Sequence, residues 1–114
     1  MKPFVVILFV SSLLVCNALA HSPLQNVFPD DGAELDAMPN EVRLIFKRNM
    51  RLTKITSSHN GGNQMILDLN GQTSFATEFQ IPIHGNGSGE YRIHWRGLGD
   101  DGHVQKGSFF FKVD

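Results

Sequence analysis

The sequence predicts an all-β domain, built as a β-sandwich or a Greek-key barrel. Apolar residues alternate with polar ones in several short segments, which is the side-chain period of a strand. Clusters of Gly, Asn, Asp and Pro separate these segments at fairly even spacing, as turns do. No segment carries the helical period over a convincing length. Many short strands with frequent turns favour two packed sheets or a closed barrel.

The first element along the chain is a predicted signal peptide, residues 1–20. Lys2 is its only positive charge, and an apolar run follows over residues 4–15. Ala18 and Ala20 then place small residues at the two positions that signal peptidase reads. The apolar run is shorter than the roughly 20 residues that a membrane span needs, so we expect cleavage and export.

The predicted mature domain, residues 21–114, has nine Lys and Arg against eleven Asp and Glu, a formal charge of −2. This balance disfavours nucleic-acid and anionic-membrane partners. The one cysteine, Cys16, lies in the removed segment, and an exported domain without a disulfide fits the bacterial periplasm. An alternative is lipid attachment at Cys16, although bulky Val15 fits such a cleavage poorly. A chain starting at Cys16 would not expose His21 as its terminus.

The strand pattern recurs in six segments of the mature domain. They are residues 42–47, 52–56, 65–69, 75–83, 91–96 and 109–113. The turn signals lie at residues 29–32, 38–40, 59–62, 70–71 and 85–89. Alternation predicts that Trp95 and Phe111 lie at the centre of the core between two sheets, and that His94 faces away from it.

A candidate metal site combines the predicted new N-terminus with a motif near the other end of the chain. Signal cleavage makes His21 the first residue, so that its α-amine and its imidazole Nδ1 can chelate one ion. Asp101 and His103 stand two positions apart, so on an extended chain both point to one side, and Gly102 lets the backbone approach closely. Three nitrogens and one carboxylate oxygen suit Cu(II). The alternative interpretation of residues 101–103 is a β-turn with a solvated histidine.

Two further residue types bear on this site. The methionines of the mature domain, Met38, Met50 and Met65, are scattered and no cysteine remains, so a soft Cu(I) site is poorly supported. We interpret these methionines as fillers of core or surface gaps. His59 and His84 lie among Gly and Asn, and we interpret them as solvated loop histidines.

Several segments, in their order along the mature chain, resemble the CopC family of periplasmic copper-resistance proteins. They are residues 21–24, 28–33, 39–46, 91–95, 101–103 and 107–113. The resemblance implies an immunoglobulin-like Greek-key sandwich or barrel of about seven strands, and a Cu(II) site formed by His21, Asp101 and His103. It also implies periplasmic copper binding for resistance, storage or delivery, often beside a CopD-type inner-membrane protein. The family's Cu(I) site uses a methionine-rich segment that this chain lacks, so the chain resembles the Cu(II)-only subgroup.

The sequence departs from the family pattern just after Phe46. Many members have Ser-Glu there, and that glutamate supports the N-terminal histidine, whereas this chain has Lys47 and Arg48. A cation near the site opposes a dication and removes a hydrogen-bond acceptor for the imidazole, so affinity is weaker unless Asp100 substitutes as the acceptor. Arg48 alternatively points away, or pairs with Asp101 when metal is absent.

Three functions compete for this sequence. The leading hypothesis is a monomeric, non-catalytic carrier or buffer for copper ions. A copper-dependent oxidative enzyme is disfavoured, because the small mature domain leaves little surface for an extended substrate and Asp101 would fill the open coordination position. The third hypothesis is a metal-free β-sandwich interaction module, for which replacing His21, Asp101 or His103 would not matter.

Overall fold

The computed structural model describes residues 22–85 and 87–114. The predicted signal peptide and His21 therefore lie outside the described residues. The described residues form seven strands: β1 (Leu24–Phe28), β2 (Ala33–Leu35), β3 (Glu41–His59), β4 (Met65–Ile66), β5 (Ala76–Pro82), β6 (Gly89–Gly99) and β7 (Val104–Val113). Within the described part of the chain, no helix has the length and apolar character that a membrane crossing requires.

The longest strand, β3, organises the fold by changing partners along its length. Its first half pairs antiparallel with β1 and β5, and its second half pairs with β4 and β6. The sequence pattern separated this region into two strands, but residues 47–51 contain no Gly or Pro, so the chain continues extended. Met50 marks the change, since it lies opposite Ala76 of β5 and also opposite Gly99 of β6.

The remaining strands extend the sheet from the second half of β3. Strand β6 pairs antiparallel with β7, and β2 pairs parallel with the end of β7. The seven strands therefore form one curled sheet whose two halves face each other across the core. The all-β fold predicted from the sequence is confirmed, and the pairing is consistent with an immunoglobulin-like Greek-key arrangement.

The core lies between the two halves of the curled sheet. Phe46 comes from the first half of β3, and its ring meets Phe79 of β5 and Trp95 of β6 edge to face, with centroids 5.9 and 5.1 Å away. Trp95 is 3% exposed and Phe111 is fully buried, so both predictions for the centre of the core are confirmed. Burial of each such side chain contributes about 1.5–3 kcal/mol to stability.

The turns lie where the sequence predicts them, whereas the strand predicted over residues 65–69 forms only in part. Asn60 and Asn70 adopt positive φ angles of 51° and 53°, within the predicted turns. The apolar run over residues 65–69 forms only the two-residue β4, whose side chains are exposed. Leu67 and Leu69, beyond the strand, pack partly against the core.

Candidate metal centre at the β6–β7 turn

Asp101 and His103 lie in the turn that joins β6 to β7, and not on an extended segment. The turn is closed by the Gly99 amide, which donates to the His103 carbonyl at 2.9 Å, and by the Gly102 amide, which donates to the Gly99 carbonyl at 3.0 Å. Gly102 has a φ of 83°, a left-handed conformation that glycine adopts without strain. The β-turn interpretation of residues 101–103 therefore describes the backbone, and the extended-chain argument for a shared side does not apply.

The turn fixes the Asp101 carboxylate close to its own backbone. Asp101 Oδ1 accepts a hydrogen bond from the His103 amide at 3.1 Å. A Cβ on Gly99 would lie 2.8 Å from this same oxygen and 3.0 Å from Gln105 Nε2, so glycine at position 99 makes room for the carboxylate. Asp101 and His103 are both exposed to solvent, and each can therefore be reached by an ion.

The first described residues are held against the middle of β3. The Pro23 carbonyl accepts a hydrogen bond from the Lys47 amide at 2.9 Å, and Leu24 pairs with Phe46. Ser22 Oγ accepts from the Leu24 amide at 3.2 Å, which ties the chain one residue further back. The start of the described chain is thus fixed beside the segment that follows Phe46.

Pro23 and Asp101 line the same surface depression, which we call the terminal depression. Its volume is about 240 Å³. The lining includes Pro23, Lys47, Arg48, Asp100, Asp101 and Gln105. Pro23 and Asp101, which are far apart in sequence, therefore lie at one place on the surface.

Arg48 forms an ion pair across the terminal depression, but with Asp100 and not with Asp101. Arg48 Nη2 lies 3.1 Å from Asp100 Oδ1, and its Nε donates to Oδ2 at 3.4 Å. Arg48 is 76% exposed, so this pair contributes less than about 1 kcal/mol. The pair engages both oxygens of Asp100, the alternative acceptor for an imidazole, and leaves Asp101 without an ion pair among the described residues.

Of the two described candidate ligands, Asp101 lines the terminal depression, whereas His103 lies in the same turn but outside that lining. Residues 22–85 and 87–114 contain no group of three or more His, Cys, Asp or Glu that could hold a metal ion. Asp101 offers a carboxylate oxygen and His103 an imidazole nitrogen, and both donor types bind Cu(II). The remaining predicted ligands belong to His21, which lies outside the described residues.

The other described histidines, His59, His84 and His94, lie outside the β6–β7 turn. His94, on β6, is out of phase with the buried Ile93 and Trp95 and half-exposed, which confirms that it faces away from the core. His84 is an exposed loop residue, as expected. His59 is not the solvated loop histidine that we expected. Its ring stacks on the Tyr91 ring with centroids 4.4 Å apart, and its Nε2 lies 2.8 Å from the Ser88 carbonyl oxygen.

The positions of Pro23 and Gly99 were not singled out from the sequence. Pro23 carries no chemistry that marks it, and it matters because its carbonyl fixes the start of β1. Gly99 matters because it has no Cβ, which would otherwise crowd the Asp101 carboxylate. A Gly two residues before an Asp-Gly turn is the only sequence signal that could have pointed to it.

Comparison with known proteins places the fold in a defined group. A family model described as the CopC domain matches residues 24–114. The match covers every strand and both described candidate ligands, Asp101 and His103. A comparison with curated proteins gives no significant match.

Solved structures share the fold at low sequence identity. The crystal structure of CopC from Methylosinus trichosporium OB3b aligns with a TM-score of 0.67 and 23% identity, covering 82% of this chain and 94% of that one. A selenomethionine form of PcoC, a copper resistance protein from Escherichia coli, aligns with a TM-score of 0.56 and 22% identity, covering 80% and 98%. A second structure of PcoC from Escherichia coli, which is described as methionine rich, aligns with a TM-score of 0.56 and 23% identity. The alignment covers 80% of this chain and 96% of that one.

Proposed function

Because this chain belongs to the CopC family, we propose that its mature form binds one Cu(II) ion in the periplasm and serves copper resistance and homeostasis. The ligands are the α-amine and imidazole of His21, the Asp101 carboxylate and the His103 imidazole. The protein acts as a carrier, buffer or delivery protein and not as an enzyme. Copper is its cargo, and a CopD-type inner-membrane protein is a candidate for exchanging that cargo with it.

The observation that carries this proposal is the shared lining of the terminal depression by Pro23 and Asp101. His21 precedes Pro23 by two residues, and two residues of chain reach at most about 7 Å. The Pro23 carbonyl is fixed by its hydrogen bond to the Lys47 amide, so that reach starts from a defined point. Chain length alone therefore keeps a histidine at position 21 within about 7 Å of Pro23, which lines the terminal depression.

The chemistry of the turn supports copper as the ligand. The His103 amide occupies Asp101 Oδ1, and a carboxylate has further lone pairs on its second oxygen for a metal. This hydrogen bond also orients the carboxylate, as partners of metal-binding carboxylates commonly do. Nitrogen-rich sites with one oxygen place Cu(II) at the top of the affinity order for divalent metals.

The methionines support Cu(II) over Cu(I). One PcoC structure is described as that of a methionine-rich protein, whereas Met38, Met50 and Met65 are the three methionines after residue 20 of this chain. Met50 is buried in the core and Met65 is exposed on β4. These positions supply no group of thioether sulfurs comparable with a methionine-rich segment, and thioethers are the ligands that Cu(I) prefers.

Calorimetric titration of the mature protein with Cu(II) tests this proposal. We expect one ion per chain, and a marked loss of affinity when His103→Ala removes an imidazole. His84→Ala is the matched control, because His84 is an exposed histidine of another loop and its loss should leave the affinity unchanged. Equal binding by the His103→Ala and His84→Ala proteins would contradict the proposed ligand set. Absence of binding by the unmodified mature protein would instead favour a metal-free interaction module.

A further inference from the structure

Three cations lie side by side on the outer face of the sheet, away from the terminal depression. In the strand register Lys54 of β3 lies opposite Arg96 of β6, and Arg96 lies opposite Lys106 of β7. Residues directly opposite on neighbouring strands share a face, with Cβ atoms roughly 5 Å apart. All three side chains are exposed. Like charges in this arrangement oppose folding, so the row is not explained by stability.

Three of the four other arginines after residue 20 are paired, whereas the cations of this row are not. Arg43 lies 3.2 Å from Glu41, Arg48 lies 3.1 Å from Asp100, and Arg92 lies 3.1 Å from Glu90. Among residues 22–85 and 87–114, Lys54, Arg96 and Lys106 form no ion pair. The domain has a net negative charge, yet it concentrates three unneutralised positive charges at one place.

The row borders a concave surface that carries hydrogen-bonding groups, which we call the basic groove. Its volume is about 510 Å³. Besides the three cations its lining includes the polar residues Thr56, Gln64, His94 and Ser108, together with Trp95 and Gly107. Thr56 Oγ1 donates to Gln64 Oε1 at 3.2 Å, and His94 lies between Thr56 and Ser108 in the register. The groove is thus polar along one row and cationic along the next.

An exposed apolar edge adjoins the polar row. Ile66 of β4 lies directly opposite Thr56 and is 75% exposed, and its neighbour Met65 is 70% exposed. An apolar side chain this exposed gains free energy when a partner covers it. The surface therefore offers charge, hydrogen bonds and apolar contact within four neighbouring strands, β4, β3, β6 and β7.

We propose that the basic groove docks an acidic segment of a partner protein, with its carboxylates on the Lys54–Arg96–Lys106 row and an apolar side chain against Ile66. Carboxylates of a flexible segment can follow a concave surface, whereas the headgroups of a flat anionic bilayer reach its floor poorly. The groove is separate from the proposed copper ligands, so this inference stands whether or not the chain binds copper.

Fluorescence anisotropy with a labelled peptide of six glutamates tests the proposal on the exported protein. We expect saturable binding that weakens as NaCl is raised, because exposed charges are screened by salt. A neutral peptide of six glutamines should not bind. Absence of glutamate-peptide binding by the unmodified protein at low salt would overturn the proposal.

A pair of double variants localises the binding. Arg96→Gln with Lys106→Gln should weaken binding by about tenfold, as expected for the loss of two exposed charge contacts. Arg51→Gln with Lys112→Gln removes the same charges from exposed positions of β3 and β7 outside the groove lining, and should change binding less than about twofold.

Equal loss in the two double variants would overturn the groove as the binding site. Vesicles of phosphatidylcholine and phosphatidylglycerol serve as the competing probe, and groove-dependent binding to them without peptide binding would also overturn the proposal. Thermal unfolding checks folding, and the Arg96→Gln, Lys106→Gln protein should be at least as stable as the unmodified one, because a repulsive pair is removed.

Discussion

The aromatic core and the terminal depression are built in opposite ways. The core gathers side chains from both halves of the sheet, and Phe46, Phe79 and Trp95 meet there almost without exposure. The depression is formed by a turn, the start of β1 and exposed charged side chains. The two regions nevertheless share β3, since Phe46 immediately precedes the Lys47 and Arg48 that line the depression.

This contrast implies that stability and metal binding can be separated by substitution. A core side chain stabilises the fold through burial, by a few kcal/mol as an order of magnitude, and this contribution does not depend on a metal. Exposed ligands contribute little to the metal-free fold, because exposed charge pairs are weak. They contribute to stability only when an ion binds the folded state in preference to the unfolded one.

The largest expected effect comes from the core. Phe46→Ala should lower the free energy of unfolding by about 3–5 kcal/mol, because it removes a ring packed between two others and leaves a cavity. The matched control is Phe75→Ala, since Phe75 is 46% exposed, and its cost should be about 0.5 kcal/mol or less. Urea denaturation measures both. Equal losses would break the distinction between the packed core and the surface.

Copper should stabilise the domain through the terminal depression. At a free Cu(II) concentration a hundred times the dissociation constant, the free energy of unfolding should rise by about 2.7 kcal/mol. Most of this gain should disappear in the His103→Ala protein at the same copper concentration. Thermal unfolding with and without Cu(II) measures it, and an undiminished gain in the variant would remove His103 from the site.

Two glycine substitutions sharpen the comparison. A Cβ on Gly107 would lie 2.8 Å from the Trp95 ring, so Gly107→Ala should cost about 1–3 kcal/mol of stability by overpacking and leave copper affinity unchanged. The tight contacts of a Cβ on Gly99 are with the ends of the Asp101 and Gln105 side chains, which can move, and its contact with the His103 carbonyl at 3.5 Å is an ordinary one. Gly99→Ala should therefore displace the carboxylate and weaken copper binding, with a smaller loss of stability. Denaturation and calorimetry on both variants would reveal any reversal of this pattern.

The smallest expected effect on stability belongs to Arg48. Arg48→Gln breaks the exposed pair with Asp100 and should change the free energy of unfolding by less than about 1 kcal/mol. It also removes a positive charge beside a site for a dication, so Cu(II) affinity should rise about two- to fivefold. Calorimetry at low ionic strength measures the change. A fall in affinity would show that Arg48 supports the site, for instance by holding Asp100 in place.

The core could be predicted from sequence because burial leaves a local pattern. The alternation of Tyr91, Ile93 and Trp95 identified the inner face of β6, and Trp95 and Phe111 are buried as expected. The continuity of β3 was missed, because the polar residues after Phe46 interrupt the alternation. What joins the two segments is pairing with β5 and β6, which depends on distant parts of the chain.

For the candidate site, the sequence marks residue types but does not determine the local geometry. Asp101 and His103 are marked by their chemistry, whereas the i, i+2 argument assumed an extended chain. The positive φ of Gly102 makes a turn instead, and glycine permits that conformation without requiring it. The pairing of Arg48 with Asp100 in preference to Asp101 likewise depends on how the turn orients two adjacent carboxylates.

One titration tests the central claim most directly: Cu(II) binding by a protein that begins at His21, compared with a protein carrying one additional residue before His21. The additional residue converts the α-amine into an amide and leaves Asp101, His103 and the fold unchanged. The account predicts tight binding of one ion by the first protein and far weaker binding by the second. Equal affinities in the two titrations would contradict a copper site built on the mature N-terminus.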